Sequence, residues 1–139
     1  MKIARPIDPP HWIERTVFVE ENGSVTVVEQ ATLPFRVQRT FLVEAGNGQI
    51  RGHHAHRECW QALFAIDGSV VVVTQHPGGS DQFILTKDGP GIVLPPMIWA
   101  TQEYLGSPAR LLVACSEVFS ESDYIRTFEA YLAAVAGNS

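Results

Sequence analysis

Cysteine is scarce in this chain. Its 139 residues contain two cysteines, Cys59 and Cys115. Neither belongs to a Cys-x-x-Cys pair, which excludes a zinc ribbon and the common dithiol redox motif. We therefore expect two buried free thiols, as is usual in a protein of a reducing compartment.

Basic stretches and long apolar stretches are also missing. The formal net charge is −5 and no lysine-rich run occurs, so nucleic acid is a poor candidate partner. No apolar segment approaches the roughly 20 residues that a membrane-spanning helix needs. Residues 1–6 lack the apolar core of a secretory signal. We expect a cytoplasmic protein that does not contact a membrane.

Short runs of β-branched and aromatic residues, separated by turn residues, dominate what remains. The length suits one compact domain, and 45% of the residues are hydrophobic. The runs predict nine to eleven short strands, of which residues 17–20 and 25–29 flank an Asn-Gly turn. Asp67-Gly68 lies between two apolar runs and predicts another hairpin. Residues 106–108 predict a further break between strands.

The two ends differ from this strand-rich middle. Residues 1–15 hold three prolines and predict an irregular lead-in. Residues 122–135 have apolar residues at helical spacing, with Ser122 as a possible N-cap. Within that helix, residues 123–126 are interpreted as capping or dimer-contact residues. The predicted fold class is all-β: one jelly-roll β-barrel domain over residues 1–139, with a short C-terminal helix.

Residues 51–57 contain three histidines and two arginines. Successive side chains of a strand point to opposite faces. His54 and His56 should therefore share one face, and His53 should point the other way. Two imidazoles on one face suit either metal binding or proton transfer.

The spacing from His54 and His56 to Gln61 resembles the first of the two cupin motifs. Gln61 stands where that motif usually has a glutamate, and Ala100 replaces the histidine of the second motif. Two imidazoles alone hold a divalent ion weakly. We therefore expect no metal and no other cofactor, with the histidines free to act as acid and base near neutral pH. A metal-binding cupin that uses these two histidines is an alternative.

Three further motifs occur as a set: Arg-Gly-x-His-Ala-His at residues 51–56, Pro-Pro-Met-Ile-Trp at 95–99 and Asp-Tyr-Ile-Arg at 123–126. Together they resemble the WxcM-like nucleotide-sugar 3,4-ketoisomerases, over about residues 20–132. The resemblance implies a metal-independent enzyme that moves a keto group between C4 and C3 of a thymidine-diphosphate-linked 4-keto-6-deoxyhexose through an enediol. It also implies a homodimer.

Roles for individual residues follow from the same resemblance. His56 corresponds to the base that moves the C3 proton, and His54 assists it or orients the substrate. Guanidinium groups bind diphosphates through paired hydrogen bonds, so Arg51 and Arg39 are candidates for that contact. The other candidate substrate-binding residues are Gln61, Trp99 and His53.

The chain departs from the family pattern in the strand before the histidines. Relatives carry a tyrosine there that moves a proton between two sugar oxygens, whereas residues 39–43 include Phe41 and no tyrosine. Either another group, such as His53 or His54, moves this proton, or the reaction differs. A cupin that binds a nucleotide sugar without converting it is the alternative function.

Overall fold

The computed structural model describes residues 6–137, which form ten strands and one α-helix. The element bounds are β1 His11–Ile13, β2 Thr16–Glu20, β3 Gly23–Val27, β4 Arg39–Ala45, β5 Ile50–His56, β6 Gln61–His76, β7 Gly79–Thr86, β8 Gly91–Leu94, β9 Trp99–Cys115, β10 Tyr124–Ile125 and α1 Phe128–Gly137.

Eight of these strands form one curled antiparallel sheet, with β2 and β3 as a separate hairpin. The two longest strands organise the sheet. β6 pairs with β7, β8 and β9, while β9 also pairs with β4 and β5. This arrangement confirms the all-β prediction and the C-terminal helix. No helix within residues 6–137 has the length and apolar character needed to cross a bilayer.

The interior of the curled sheet is apolar. Residues on the inner faces of β6, β7 and β9, such as Leu63, Leu85 and Leu111, are buried in one cluster. A second cluster lies on the other face of β6, where Phe64 and Ala62 are buried. Both faces of this part of β6 are covered, so its residues are hydrophobic without alternation.

Two of the predicted breaks between strands are wrong. The strand β6 continues through residues 67–68, and β9 continues through residues 106–108. The pairing of β6 with β9 shifts on either side of Asp67, which marks a bulge rather than a turn. Gly68 has φ 65° at this point, and a Cβ there would lie 2.6 Å from the carbonyl oxygen of Leu105. Residues 106–108 lie on the facing part of β9. Residues that usually form turns are therefore located within two long, paired strands, at the place where their pairing is irregular.

Both predicted end segments also need correction. The strand β1 occupies part of the expected irregular lead-in and pairs with β8, while residues 1–5 of that lead-in lie outside the described residues. The helix begins at Phe128 rather than at residue 122. Thr127, not Ser122, caps it, since the Thr127 Oγ1 accepts a hydrogen bond from the Ala130 N–H at 3.1 Å.

We expect Gly68→Ala to destabilise the protein more than Gly48→Ala does. Both glycines have positive φ, which costs an alanine about 1 kcal/mol. Only Gly68 also has an atom in the way of a Cβ, since nothing lies within 4 Å of the corresponding position at Gly48. Urea unfolding of the two variants measures the difference. Equal losses would contradict the close approach of β6 to β9.

Candidate active site

His54 and His56 lie on the same side of β5, as alternation predicted. Their ring centroids are 5.1 Å apart in an edge-to-face arrangement. Both line a small cavity inside the curled sheet. The other lining residues are Cys59, Gln61, Leu94, Pro95, Ile98, Ala100 and Gln102. The histidine pair therefore faces a largely apolar pocket that also contains two side-chain amides.

A β-bulge at His53 sets the geometry just before the histidine pair. The pairing of β5 with β9 shifts between Gly52 and His54, and Gly52 and His53 have φ of 96° and 58°. A Cβ on Gly52 would lie 2.9 Å from a carbonyl oxygen of β9, which explains the glycine. The inserted residue brings Arg51, opposite Gln102, to the face that His54 occupies.

Asp123 holds the His56 imidazole in place. The His56 Nδ1 lies 2.8 Å from the Asp123 Oδ2, and the Asp123 Oδ1 accepts the Glu58 N–H at 2.6 Å. A carboxylate can only accept, so Nδ1 carries the proton and Nε2 presents its lone pair. Nε2 is buried and has no hydrogen-bond partner among the described residues. His56 is thus oriented as a base.

Both imidazoles are neutral near pH 7. Burial first, and the neighbouring His56 second, lower the pKa of His54 to about 4. Burial also lowers the pKa of His56, although the hydrogen bond and charge of Asp123 act against this. The positive charges of Arg39 and Arg126 lower it too. An unprotonated imidazole is the form that accepts a proton.

Tyr124 packs against both histidines, which corrects the interpretation of residues 123–126. Instead of starting a helix, they include β10, where Tyr124 pairs with His56 across the sheet. The Tyr124 ring centroid lies 4.4 Å from that of His56 and 5.2 Å from that of His54. The guanidinium of Arg126 lies 4.2 Å from the centre of the Tyr124 ring.

Sequence reasoning missed Asp123 and Tyr124 as part of the site, although a signal was present. Tyr-Ile is an aromatic and β-branched pair, a combination that favours a strand. Thr127 is also a better-placed cap than Ser122 for the apolar helix that follows. Together these two features could have separated a short strand from the helix.

Arg39 and Gln61 meet at the thiol of Cys115. The Arg39 Nη2 lies 3.6 Å from the Cys115 Sγ, and the Gln61 Nε2 lies 3.5 Å from it. Burial opposes the charge of Arg39, yet the nearby side chains of Cys115 and Tyr124 raise the pKa of Arg39. Both cysteines are free and buried, as expected. The structure thus links Arg39 to Tyr124 and places Gln61 in the cavity wall.

The remaining predicted substrate-binding residues lie outside the cavity lining. His53 is exposed at the bulge. Trp99 is buried beneath α1, with its ring centroid 5.4 Å from that of Phe128 and 5.9 Å from that of Tyr131. Arg51 is exposed, on the face of the sheet that carries the histidines. Trp99 therefore holds the helix, and of these three residues Arg51 has the position that best suits contact with a ligand.

The residues of the cavity do not fit a cupin metal centre. Gln61 and Ala100 do line it beside the two histidines, so the usual carboxylate and third imidazole are replaced where they would bind. His56, Cys59 and Asp123 bring possible ligand atoms within 4.8 Å of one another. Both Asp123 oxygens, however, already accept hydrogen bonds. This donor set suits proton transfer better than metal binding.

A curled antiparallel sheet that carries a histidine pair on its inner face defines a cupin-type jelly roll. The chain belongs to a family within that class. Residues 9–136 match the family model FdtA, described as WxcM-like, C-terminal.

Known relatives and structures agree with this assignment. The TDP-4-oxo-6-deoxy-alpha-D-glucose-3,4-oxoisomerase of Aneurinibacillus thermoaerophilus is 25% identical over 115 residues, which cover 81% of this chain and 83% of that protein. A 3,4-ketoisomerase from Helicobacter canadensis has a TM-score of 0.84 at 26% identity, with 94% and 99% of the two chains covered. The 3,4-ketoisomerase QdtA from Thermoanaerobacterium thermosaccharolyticum, solved in complex with TDP, has the same fold: TM-score 0.84, 24% identity and 93% and 96% coverage.

We expect the imidazoles of His54, which is half-buried, and His56, which is buried, to make the fold sensitive to mild acid. A histidine whose pKa is depressed by folding binds a proton more readily when unfolded, so stability is lost as pH falls below 6.5. For His54, with its pKa near 4, the loss between pH 6.5 and 4.5 is roughly 2 to 3 kcal/mol. Urea unfolding at both pH values measures it. The His54→Gln variant should lose distinctly less stability than the wild-type protein between these two pH values. An equal loss would contradict a His54 that is neutral in the folded protein.

Proposed function

We propose that this chain is a metal-independent 3,4-ketoisomerase that acts on a thymidine-diphosphate-linked 4-keto-6-deoxyhexose. The family assignment and the relatives' activity support this function over a binding protein without turnover. The observation that carries the proposal is the His56–Asp123 pair, which leaves a buried, unprotonated Nε2 on a histidine that lines the cavity. A carbon next to a ketone loses its proton to a base of this kind.

His56 would remove the proton from C3 and return a proton to C4. Loss of the C3 proton places negative charge on the C4 oxygen, and the enediol that forms carries both oxygens as hydroxyls. His54 lies 5.1 Å away between ring centroids, lines the same cavity and packs against the Tyr124 ring. It is fixed beside the base and would orient the sugar.

The diphosphate would lie toward the arginines. Arg51 lies at an exposed position on the face that holds His54. Arg39 is half-buried, and its Nη2 lies 3.6 Å from the Cys115 Sγ, which in turn contacts Gln61 of the cavity wall. Guanidinium groups bind phosphate oxygens in pairs of hydrogen bonds. Gln61, buried in the cavity wall, would bind a sugar hydroxyl.

We also propose a cytoplasmic homodimer that supplies a deoxysugar for polysaccharide synthesis. The free, buried thiols of Cys59 and Cys115 suit a reducing compartment. The β2–β3 hairpin pairs with no other described strand, and its Phe18, Val19 and Val25 are more than half exposed. Apolar side chains of this kind are common where two chains meet. A light-scattering mass of two chains would agree with this.

The protein should convert dTDP-4-keto-6-deoxyglucose to its 3-keto isomer without added metal. NMR spectroscopy of the reaction mixture detects the change at C3 and C4. His56→Gln should lose nearly all activity, since an amide cannot accept the C3 proton. If the wild-type protein binds the nucleotide sugar in calorimetry and leaves it unchanged, the chain is a binding protein. Failure to bind at all would remove both functions.

Asp123→Asn should lower kcat by about 10²-fold or more, because His56 would lose the acceptor that fixes its tautomer. Asp123 raises the pKa of His56, so the variant's residual activity should persist to lower pH than that of the wild-type protein. The pH dependence of kcat/KM measures this shift.

Asp81→Asn is the matched control for that variant. Asp81 also pairs with a histidine, since its Oδ2 lies 3.4 Å from the His76 Nε2, but the Asp81 side chain is about half exposed. Its loss should leave kcat and the pH profile unchanged. An Asp123 variant with normal kcat would show that His56 does not depend on the carboxylate.

A further inference from the structure

The proposed isomerisation needs a second proton carrier, and this inference rests on that proposed function. His56 accounts for the proton that leaves C3 and the proton that arrives at C4. The oxygen at C4 must also gain a proton when it changes from carbonyl to hydroxyl. The oxygen at C3 must lose one when it changes from hydroxyl to carbonyl. A single group that donates to one oxygen and then accepts from the other balances the reaction.

A phenol is suited to this exchange because its hydroxyl both donates and accepts. The strand β4 carries Phe41 and no tyrosine, so it supplies no such group. The chain has three tyrosines: Tyr104, Tyr124 and Tyr131.

Two of the three tyrosines serve the fold. The Tyr131 hydroxyl lies 3.0 Å from the Gln75 carbonyl oxygen and 2.9 Å from that of Met97, so it is committed to the backbone. Tyr104 is fully buried in the apolar interior, where burial raises the pKa of its hydroxyl to about 12. A hydroxyl that resists ionisation this strongly is a poor proton carrier.

Tyr124 is the tyrosine that lies at the histidine pair. Its backbone pairs with that of His56, and its ring centroid lies 4.4 Å from that of His56 and 5.2 Å from that of His54. The preceding residue, Asp123, anchors this segment through its hydrogen bonds to His56 and Glu58. The contacts that hold the base therefore also hold the tyrosine beside it.

Two guanidinium groups, those of Arg39 and Arg126, lie beside Tyr124. The Tyr124 side chain raises the pKa of Arg39, so the two side chains lie close together. An arginine can only donate hydrogen bonds, so Arg39 does not compete for the hydrogen of the Tyr124 hydroxyl. Arg126 lies over the ring at 4.2 Å and is itself held by Glu121, with N–O distances of 2.6 and 2.8 Å. A phenol oxygen that has passed its proton to the substrate would have two positive charges nearby.

We propose that Tyr124 carries the proton between the two sugar oxygens. As His56 removes the C3 proton, the Tyr124 O–H bond breaks and its proton passes to the C4 oxygen, which gives the enediol and a phenolate. The phenolate then takes the proton from the C3 hydroxyl as the C3 carbonyl forms, while the protonated His56 delivers its proton to C4. Tyr124 and His56 both return to their starting protonation states, and a ketone at C3 has replaced the ketone at C4.

Tyr124→Phe tests this assignment, since it keeps the ring packing and removes only the hydroxyl. We expect kcat to fall by about 10²-fold with KM within a few-fold of the wild-type value. In D₂O, exchange of the C3 proton should fall less than isomerisation does, so the ratio of exchange to product should rise, because His56 is intact. Tyr104→Phe is the control, because it removes a hydroxyl whose raised pKa of about 12 keeps it protonated. This variant should leave kcat and the ratio of exchange to product unchanged.

Three outcomes would overturn the inference. Wild-type kcat in Tyr124→Phe would do so directly. Equal losses of exchange and isomerisation, with an unchanged ratio, would mean that Tyr124 only packs against the histidines. If the wild-type protein itself does not isomerise the nucleotide sugar, the proposed function fails and the inference fails with it. Thermal unfolding of Tyr124→Phe close to that of the wild-type protein confirms that a loss of activity is chemical.

Discussion

The hydrogen bond between the Nδ1 of His56 and the carboxylate of Asp123 is the contact on which the rest of the site depends. It joins the end of β5 to a residue near the C-terminus, at 2.8 Å. The same carboxylate accepts the Glu58 N–H, and the Asp123 carbonyl accepts the Arg57 N–H. One residue therefore sets the tautomer of the base, anchors the loop after it and positions β10 for Tyr124.

The hydrogen bond matters because the two histidines are removed from solvent, which changes their pKa values. An imidazole in an apolar cavity resists protonation, which is why the pKa values of His54 and His56 are both lowered. Asp123 opposes that effect at His56 alone, whereas Arg39 and Arg126 reinforce it. The two histidines are chemically alike in the sequence, yet their surroundings separate them into a base with a carboxylate partner and a neighbour that packs edge-on against Tyr124.

Much of the site was predictable because strand alternation is a local rule. It placed His54 and His56 on one face, and the cupin motifs identified Gln61 and Ala100 as the positions beside them, where the cavity indeed lies. The same local rules failed at Asp67-Gly68. A glycine with positive φ serves a hairpin turn and a bulge equally well, and only the pairing of β6 with β9 on both sides of it distinguishes the two.

The sequence by itself determined the fold class, the face that the histidines share and the family, because these depend on spacing between near neighbours. Only the tertiary structure decided which side chains complete the site. Asp123 and Tyr124 look like the start of a helix until β10 pairs with β5, and Trp99 looks like a ligand contact until α1 covers it. The closure of the sheet brings residues from distant parts of the chain to one cavity, and no local pattern encodes that closure.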